Sequence, residues 1–499
     1  MNPLRKLAGQ TAIYGLSSIL GRILGYLLVP LYTRVFLPGE YGNVNVFYSF
    51  IAFLMVVLTY GMETAFFRFN ESEDDKEKVF FTGMISLIFS SLVFLFFATV
   101  FAQPIASLID YASHPEYVVW FAWILAMDAL TRIPFARLRA QKKAALFAGI
   151  NLIGILVNFG LNLFLILLCP YCLKHESWHA VNDFILMFYR QDWGIEYIFI
   201  SNLIASGVTL VLLIPQFMEL RWKPDIKLLK KMLTYALPLL FAGMAGIVNE
   251  TFDRLLLRYL LPKDIAACQV GIYSACYKIS ILMTIFIQAY RYAAEPFFFE
   301  QAKEKDAKQS YARIMDYFII IVSLIFLVTM VYLDDFILRY LIGKEYREGK
   351  GVIPILMMAN LFLGVYYNLA IWYKLTSKTI WGAWLSAIGA VITLALNFWW
   401  IPLGADHLIH GYLGSAWATL ICYGTMMALS YLIGQQFFPV KYNLLKFFGY
   451  LGFAVLLYLL SLYFVPDQFF LRVAFHTLLV FAFAGVAYSI EKPRFAKAR

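Results

Sequence analysis

Residues 15–38 read GLSSILGRILGYLLVPLYTRVFLP, and this stretch decides which solvent the chain is built for. Extended back to Leu7, it carries one charge, Arg22, before Arg34 is reached. That is enough for the ~20 mainly apolar residues a membrane span requires. Gly15, Gly21, Gly25 and Pro30 punctuate it, so the helix is expected to bend. Gly21 and Gly25 also form a GxxxG spacing, so they serve either close helix packing or a hinge that moves Arg22 between inward-open and outward-open states. No small-residue cleavage site precedes Phe36, and the stretch is expected to stay as a first helix rather than to be removed as a signal.

The rest of the chain repeats the pattern. Of 499 residues, 62% are hydrophobic and 14% charged, against ~45–50% and ~25% in soluble domains. Long apolar stretches begin near residues 8, 41, 79, 116, 144, 195, 230, 270, 311, 351, 381, 410, 444 and 468. The expectation is an all-α integral membrane protein of about fourteen transmembrane helices, joined by short loops and without a soluble domain. The net charge of +10 falls mainly in alternate loops, among them Arg132 to Lys143, Arg221 to Lys231 and the Lys492–Arg499 tail. By the positive-inside rule both termini are cytoplasmic. A charge distributed in this way argues against nucleic acid as a partner.

Internal similarity predicts two halves. Arg34-Val35-Phe36-Leu37-Pro38 after the first helix returns as Arg258-Tyr259-Leu260-Leu261-Pro262 after the seventh. Lys143, Asn151, Gly154, Leu161 and Asn162 pair at one constant offset with Lys378, Ser386, Gly389, Leu396 and Asn397. Six helices per half give the repeats the same orientation, hence lobes related by an axis along the membrane normal with a cavity between them. The expected division is residues 1–220, 221–440, and 441–499 for two additional helices, in which only Arg472 and His476 suggest chemistry.

A charge inside a bilayer costs at least ~2.5–3.5 kcal/mol on insertion scales, so one that persists faces a cavity or a partner. Arg22, Arg254, Lys278 and Arg291 are basic and lie well within spans. Arg matches phosphate oxygens with a fork of donors, so this set reads as a phosphate or pyrophosphate site; the alternative is internal ion pairing. Glu63, Asp128, Glu250 and Asp253 either bind a coupling H+ or Na+ or form salt bridges. Asn151, Asn158 and Asn162 share a face of the fifth helix, as glue between helices or as a sugar-facing wall.

Cys169, Cys172, His175 and His179 have spacing that formally resembles a zinc site. Their expected periplasmic position favours a disulfide or plain burial, so no metal is expected. The chain has no Walker loop, nucleophile elbow or His-Glu-x-x-His. Its outside segments, of which Tyr171 to Gly194 is the longest, are too short for a polymerase's catalytic loop. Asp74-Asp75 and Asp334-Asp335 are adjacent rather than spaced as a DxD. An enzyme, a membrane glycosyltransferase or polymerase, is therefore the distant alternative.

Three stretches carry a family resemblance. They are Ser17 and Arg22 leading to Pro30-Leu31-Tyr32-Thr33-Arg34, Pro38 and Glu40-Tyr41-Gly42; Gly61-Met62-Glu63-Thr64-Ala65 with Arg68; and Asp253-Arg254, Gly271-Ile272-Tyr273-Ser274 and Tyr277-Lys278. With the six-plus-six-plus-two layout, the chain resembles the polysaccharide transporter (Wzx-like, O-antigen flippase) branch of the multidrug/oligosaccharidyl-lipid/polysaccharide exporter superfamily. The resemblance implies a monomeric transporter in the bacterial inner membrane. It would move an undecaprenyl-pyrophosphate-linked oligosaccharide between leaflets by alternating access, beside membrane lipids, polysaccharide polymerase and assembly proteins, without a cofactor. A lipid II flippase or multidrug exporter of the same superfamily is the nearer alternative. The basic residues of both lobes disfavour an exporter of organic cations.

Overall fold

In lipid every backbone N–H and C=O must be satisfied within the chain, which leaves helices as the element an apolar sequence of this kind can form. The computed structural model describes residues 19–175, 179–218, 225–302, 304, 306–403 and 411–497, and its regular elements there are all helical. Helix α1 covers residues 19–27 and resumes as Val29–Val35. Helix α2 is Pro38–Thr59, resuming as Met62–Ser72. There follow α3 Lys76–Val100, α4 Pro115–Ala140, α5 Ala144–Asn162, α6 Glu196–Met218 and α7 Ile226–Leu260. The chain continues with α8 Lys263–Gln301, α9 Ala307–Val331, α10 Val352–Leu369, α11 Ile380–Trp400, α12 Gly411–Phe437, α13 Leu444–Tyr463 and α14 Phe469–Lys497.

Thirteen of these, α2 to α14, are long and apolar enough to cross a membrane. The first predicted span begins outside the described residues, and α1 is its described part. Helix α3 exposes Phe89, Leu92, Phe96 and Val100 along one side. In water such a stripe would drive aggregation; in lipid it is the solvated face.

The chain divides into two compact units, Met1–Arg258 and Tyr259–Arg499. In the first, α4 packs on α3 and α6, and α6 packs on α5. In the second, α10 packs on α8 and α12, α12 on α11, and α9 on α13 and α14. The neighbour order α4–α6–α5 thus returns as α10–α12–α11, and the residues of the internal repeat do the same work in each. Asn162 and Asn397 are both fully buried. Asn162 Nδ2 donates to the Asn158 carbonyl at 2.8 Å while its Oδ1 accepts from the Tyr32 hydroxyl at 2.7 Å. Asn397 Nδ2 donates to the Thr393 carbonyl and its Oδ1 accepts from the Ser415 hydroxyl, both at 2.7 Å.

Two interruptions shape the first unit. The hydrogen-bond ladder of α1 is interrupted at Leu28, two residues before Pro30, which has no N–H to donate, while the Leu28 backbone itself stays right-handed helical at φ −79° and ψ −21°. Helix α2 is broken at Tyr60 and Gly61, whose φ values of 35° and 74° are left-handed. At Gly61 a Cβ would also lie 3.0 Å from the Ala236 carbonyl oxygen. Glycine therefore satisfies both the turn and the approach of α7, which accounts for Gly61 opening the Gly61-Met62-Glu63 stretch. Met62, Phe66, Phe80, Met84, Leu228 and Met232 form the core that fastens the ends of α2, α3 and α7 together.

One expectation is corrected. Arg132 to Lys143 was to be a cytoplasmic loop, but α4 stays helical to Ala140. Buried Arg137 is packed rather than solvated, pairing with Glu77 at 2.7 Å and lying over Phe80 at 4.4 Å, while Arg132 is exposed where it lines a cavity.

Candidate functional site

The first unit has an open-sided cavity of about 450 Å³, and helical spacing supplies its walls. Helix α1 contributes Gly21, Leu24, Gly25 and Leu28, which recur at i, i+3, i+4 and i+7. Helix α4 contributes the stripe Asp128, Thr131, Arg132, Phe135 and Arg139. Asn151, Gly154 and Asn158 come from α5, Asn202, Ser206 and Thr209 from α6, and Glu63 from the second segment of α2. Small residues bring the walls close. A Cβ on Gly154 would sit 2.3 Å from Thr209 Oγ1, and one on Gly21 would sit 2.6 Å from Ile155 Cδ1. Gly21 is thus a packing glycine, whereas Gly25 has nothing within 4 Å of an added Cβ and leaves room at the cavity.

Chemically the walls are amides and hydroxyls around two acid and base sets. Arg139 forms an ion pair with Glu63 and lies over the rings of Phe67 and Phe147 at 4.9 and 5.8 Å. Asp128 has the Ser206 hydroxyl and the Arg132 guanidinium as its electrostatic neighbours. Asn202 Nδ2 donates to the Tyr48 hydroxyl at 3.1 Å, and Asn158 Oδ1 accepts from Asn162 Nδ2 at 2.8 Å. The three asparagines of α5 therefore divide: Asn162 is glue, while Asn151 and Asn158 line the cavity. Such a surface can hold a polyhydroxylated group through amides, an anion through Arg132, and a cation or proton at Asp128.

Of the acidic residues singled out from sequence, Glu63 and Asp128 are brought together in this cavity and Glu250 and Asp253 are not. Buried Asp253 pairs with buried Arg254 at 3.0 Å, and Arg254 Nη1 also donates to the Glu250 carbonyl at 3.1 Å. None of the four basic candidates is among the lining residues. Arg22 is exposed and makes no ion pair among the described residues. In the second unit Lys278 is half-buried, and Arg291 lies 3.9 Å from the centre of the Tyr367 ring. Arg472 Nε donates to Asp335 at 2.7 Å and His476 Nδ1 lies 3.2 Å from the same carboxylate, so both groups noted in α14 serve one buried acid.

Sequence reasoning missed Arg132, Arg139, Asn202, Ser206 and Thr209. For Arg132 and Arg139 the available signal is the polar stripe of α4, which keeps helical spacing through Arg139. Cys169 and Cys172 are buried free thiols, and His175 Nδ1 donates to the Tyr171 carbonyl at 2.9 Å. Among the described residues no three His, Cys, Asp or Glu side chains are placed to hold a metal ion.

Comparison with known proteins adds a sequence family and a fold. The profile of a family described as "Polysaccharide biosynthesis protein" matches residues 7–302. No curated protein matches the sequence significantly. Among solved structures, the lipid II flippase MurJ in an inward closed conformation superposes with a TM-score of 0.66 at 14% identity, covering 95% of this chain and 98% of that one. An inward-facing multidrug resistance MATE family transporter of the MOP superfamily gives 0.65 at 11% identity, covering 83% and 94%. The Vibrio cholerae MATE transporter VcmN in its bent form gives 0.54 at 13% identity, covering 86% and 96%. These are likenesses of fold.

Proposed function

From the premise that this chain belongs to the polysaccharide biosynthesis protein family, we propose that it is a flippase and not an enzyme. Its substrate is an undecaprenyl-pyrophosphate-linked oligosaccharide destined for O-antigen, capsule or exopolysaccharide. It carries this from the cytoplasmic to the periplasmic leaflet of the bacterial inner membrane by alternating access of two lobes. Both chain termini stay cytoplasmic. The observation that carries the reading is the polar cavity of the first unit. Its volume of about 450 Å³ lies within the usual range for small-ligand sites. It is therefore suited to one end of a long substrate and not to a whole oligosaccharide. Amides and hydroxyls from α5 and α6 complement sugar hydroxyls, and Arg132 complements phosphate.

In this reading Asp128 is the coupling group for H+ or Na+, with Glu63 held in reserve by Arg139. Protonating or metallating Asp128 removes a negative charge from the neighbourhood of Arg132, which favours an anionic substrate there and links ion and substrate electrostatically. Of the four basic candidates Arg22 is kept as a head-group ligand, because no acid neutralises it among the described residues, whereas Arg254 is engaged by Asp253 and the Glu250 carbonyl. Pro30 and the interruption at Leu28 supply the hinge, with Gly25 beside it. The transporter works as a monomer next to polymerase and assembly proteins.

The test is mass spectrometry of undecaprenyl-linked intermediates in a strain depleted of the protein, with their leaflet probed by a glycosidase that cannot cross the membrane. One protected pyrophosphate-linked oligosaccharide should accumulate. Accumulation of lipid II instead would assign peptidoglycan synthesis, and unchanged lipid intermediates would end the polysaccharide reading and direct attention to drug export. Asp128→Asn should fold normally and abolish dependence of transport on the ion gradient; undiminished coupling in that variant removes Asp128 from the mechanism.

A further inference from the structure

Helix α7 starts with a pattern that the cavity leaves unused. Leu228, Met232 and Ala236 point into the core shared with α2 and α3. The opposite face carries Lys227, Lys230, Lys231 and Thr234, all exposed, at i, i+3, i+4 and i+7. These residues and Arg68 wall an open groove of about 590 Å³, closed on one side by Phe69 and Tyr235. The Arg68 guanidinium lies 4.3 Å from the centre of the Tyr235 ring. This cation–π contact anchors the guanidinium at the wall of the groove, where its donors suit a phosphate.

The charges of the groove are largely uncompensated. Lys231 is 3.6 Å from Glu73, while Arg68, Lys227 and Lys230 make no ion pair among the described residues. Four cations less one carboxylate leave a net charge of three. Past Thr234 the same face continues as Leu237, 46% exposed, and Phe241, 70% exposed. At 1.5 Å rise per residue, Lys230 to Phe241 spans about 16 Å, roughly the depth of one leaflet. The face thus has a cationic head and an apolar tail, the complement of an anionic amphiphile standing in the membrane.

We propose that the groove of Arg68, Lys227, Lys230 and Lys231 is a docking site for the diphosphate head of a membrane lipid whose chain lies along Leu237 and Phe241. The positive-inside orientation puts this site on the cytoplasmic side, where a flippase collects its substrate; the choice of a diphosphate rests on the function proposed above. A diphosphate diester carries two negative charges and a phosphodiester one, so a groove with three uncompensated cations favours the diphosphate. An apolar tract aligned with the basic one favours a lipid over a free anion. The site is separate from the polar cavity, with which it shares no lining residue.

The experiment is binding to the full chain in lipid nanodiscs, read by native mass spectrometry. The probes are undecaprenyl diphosphate, phosphatidylglycerol and inorganic pyrophosphate. At about fivefold per surface cation, the combined variant Arg68→Gln, Lys227→Gln, Lys230→Gln should weaken undecaprenyl diphosphate binding about a hundredfold. Lys227→Arg with Lys230→Arg, which keeps the charges, should bind as wild type does. Phosphatidylglycerol should bind more weakly than the diphosphate lipid, and pyrophosphate more weakly still. Undiminished binding by the combined variant overturns the site, and pyrophosphate binding as tightly as the lipid overturns the lipid occupant. Binding that depends on the groove, in a protein that does not translocate the lipid across vesicles, supports the docking site while defeating the flippase reading. Translocation with groove-independent binding does the reverse.

Discussion

Replacing Gly154 by alanine tests how tightly the cavity walls are joined, and the outcome can be worked out from the atoms that meet there. An ideal Cβ at 154 falls 2.3 Å from Thr209 Oγ1, while the next atoms, Thr209 Cβ and the Ala205 carbonyl oxygen, are at ordinary contact distances of 3.7 and 3.9 Å. One atom therefore makes the whole clash. Thr209 can withdraw it only by leaving a rotamer in which Oγ1 donates to the Ala205 carbonyl at 2.9 Å, and a β-branched side chain in a helix has few alternatives. Overpacking of this kind costs about 1–3 kcal/mol, offset by up to about 1 kcal/mol from the better helix propensity of alanine. In a Thr209→Ala background the clashing atom is gone, and Gly154→Ala should stabilise by that propensity term alone. The double-mutant cycle, read by reversible unfolding in detergent, should give an interaction of about 1–3 kcal/mol. An interaction below about 0.5 kcal/mol, the ordinary scatter of independent sites, would refute the claim that α5 and α6 touch through this pair.

Other outcomes follow from single contacts. Arg22→Ala should abolish transport while expression and unfolding stay normal, because the side chain holds no ion pair among the described residues; transport equal to wild type would remove it from substrate binding. Asn162→Ala strands the Tyr32 hydroxyl and Asn397→Ala strands that of Ser415, so each should destabilise by about 1–3 kcal/mol. A large effect in one and none in the other would end the equivalence drawn between them. Asp225, just before α7, is held well below the usual carboxylate range, at about 2, by the hydrogen bond from Lys78 and by the Leu228 backbone N–H. A lowered folded-state value means stability that is full above the unfolded value of about 3.9 and lost as pH falls toward 2. Asp225→Asn should lower the melting temperature at pH 7, with a deficit that shrinks below about pH 4 and vanishes only as pH falls to about 2; a deficit constant with pH would show that the carboxylate charge is not what matters.

Much of the architecture was legible because bilayer thickness and backbone satisfaction leave a chain like this few choices. Apolar stretches expected to begin near 116, 144, 381, 410 and 444 start as helices at Pro115, Ala144, Ile380, Gly411 and Leu444. The offset pairing of Asn162 with Asn397 also marked residues that bond alike. The site was less legible. Hydropathy treats a charge as a sign of water and so places Arg132 and Arg139 in a loop, although α4 turns both into the cavity. Depth along a span says nothing about azimuth: Arg22 is next to Gly21 in sequence, but one residue turns the helix by about 100° and takes it off the lining stripe of Gly21, Gly25 and Leu28. Whether a buried amide binds helices or a ligand likewise depends on what lies opposite, and only the partners of Asn162 separate it from Asn151 and Asn158.

The paired asparagines also bear on how such a protein is made. Asn162 finds its partners in Tyr32 and Asn158, and Asn397 finds its own in Thr393 and Ser415. Each amide is thus satisfied by residues of its own unit, Met1–Arg258 or Tyr259–Arg499. During synthesis Asn162 can complete its bonds within the amino-terminal unit while the carboxy-terminal one is still on the ribosome.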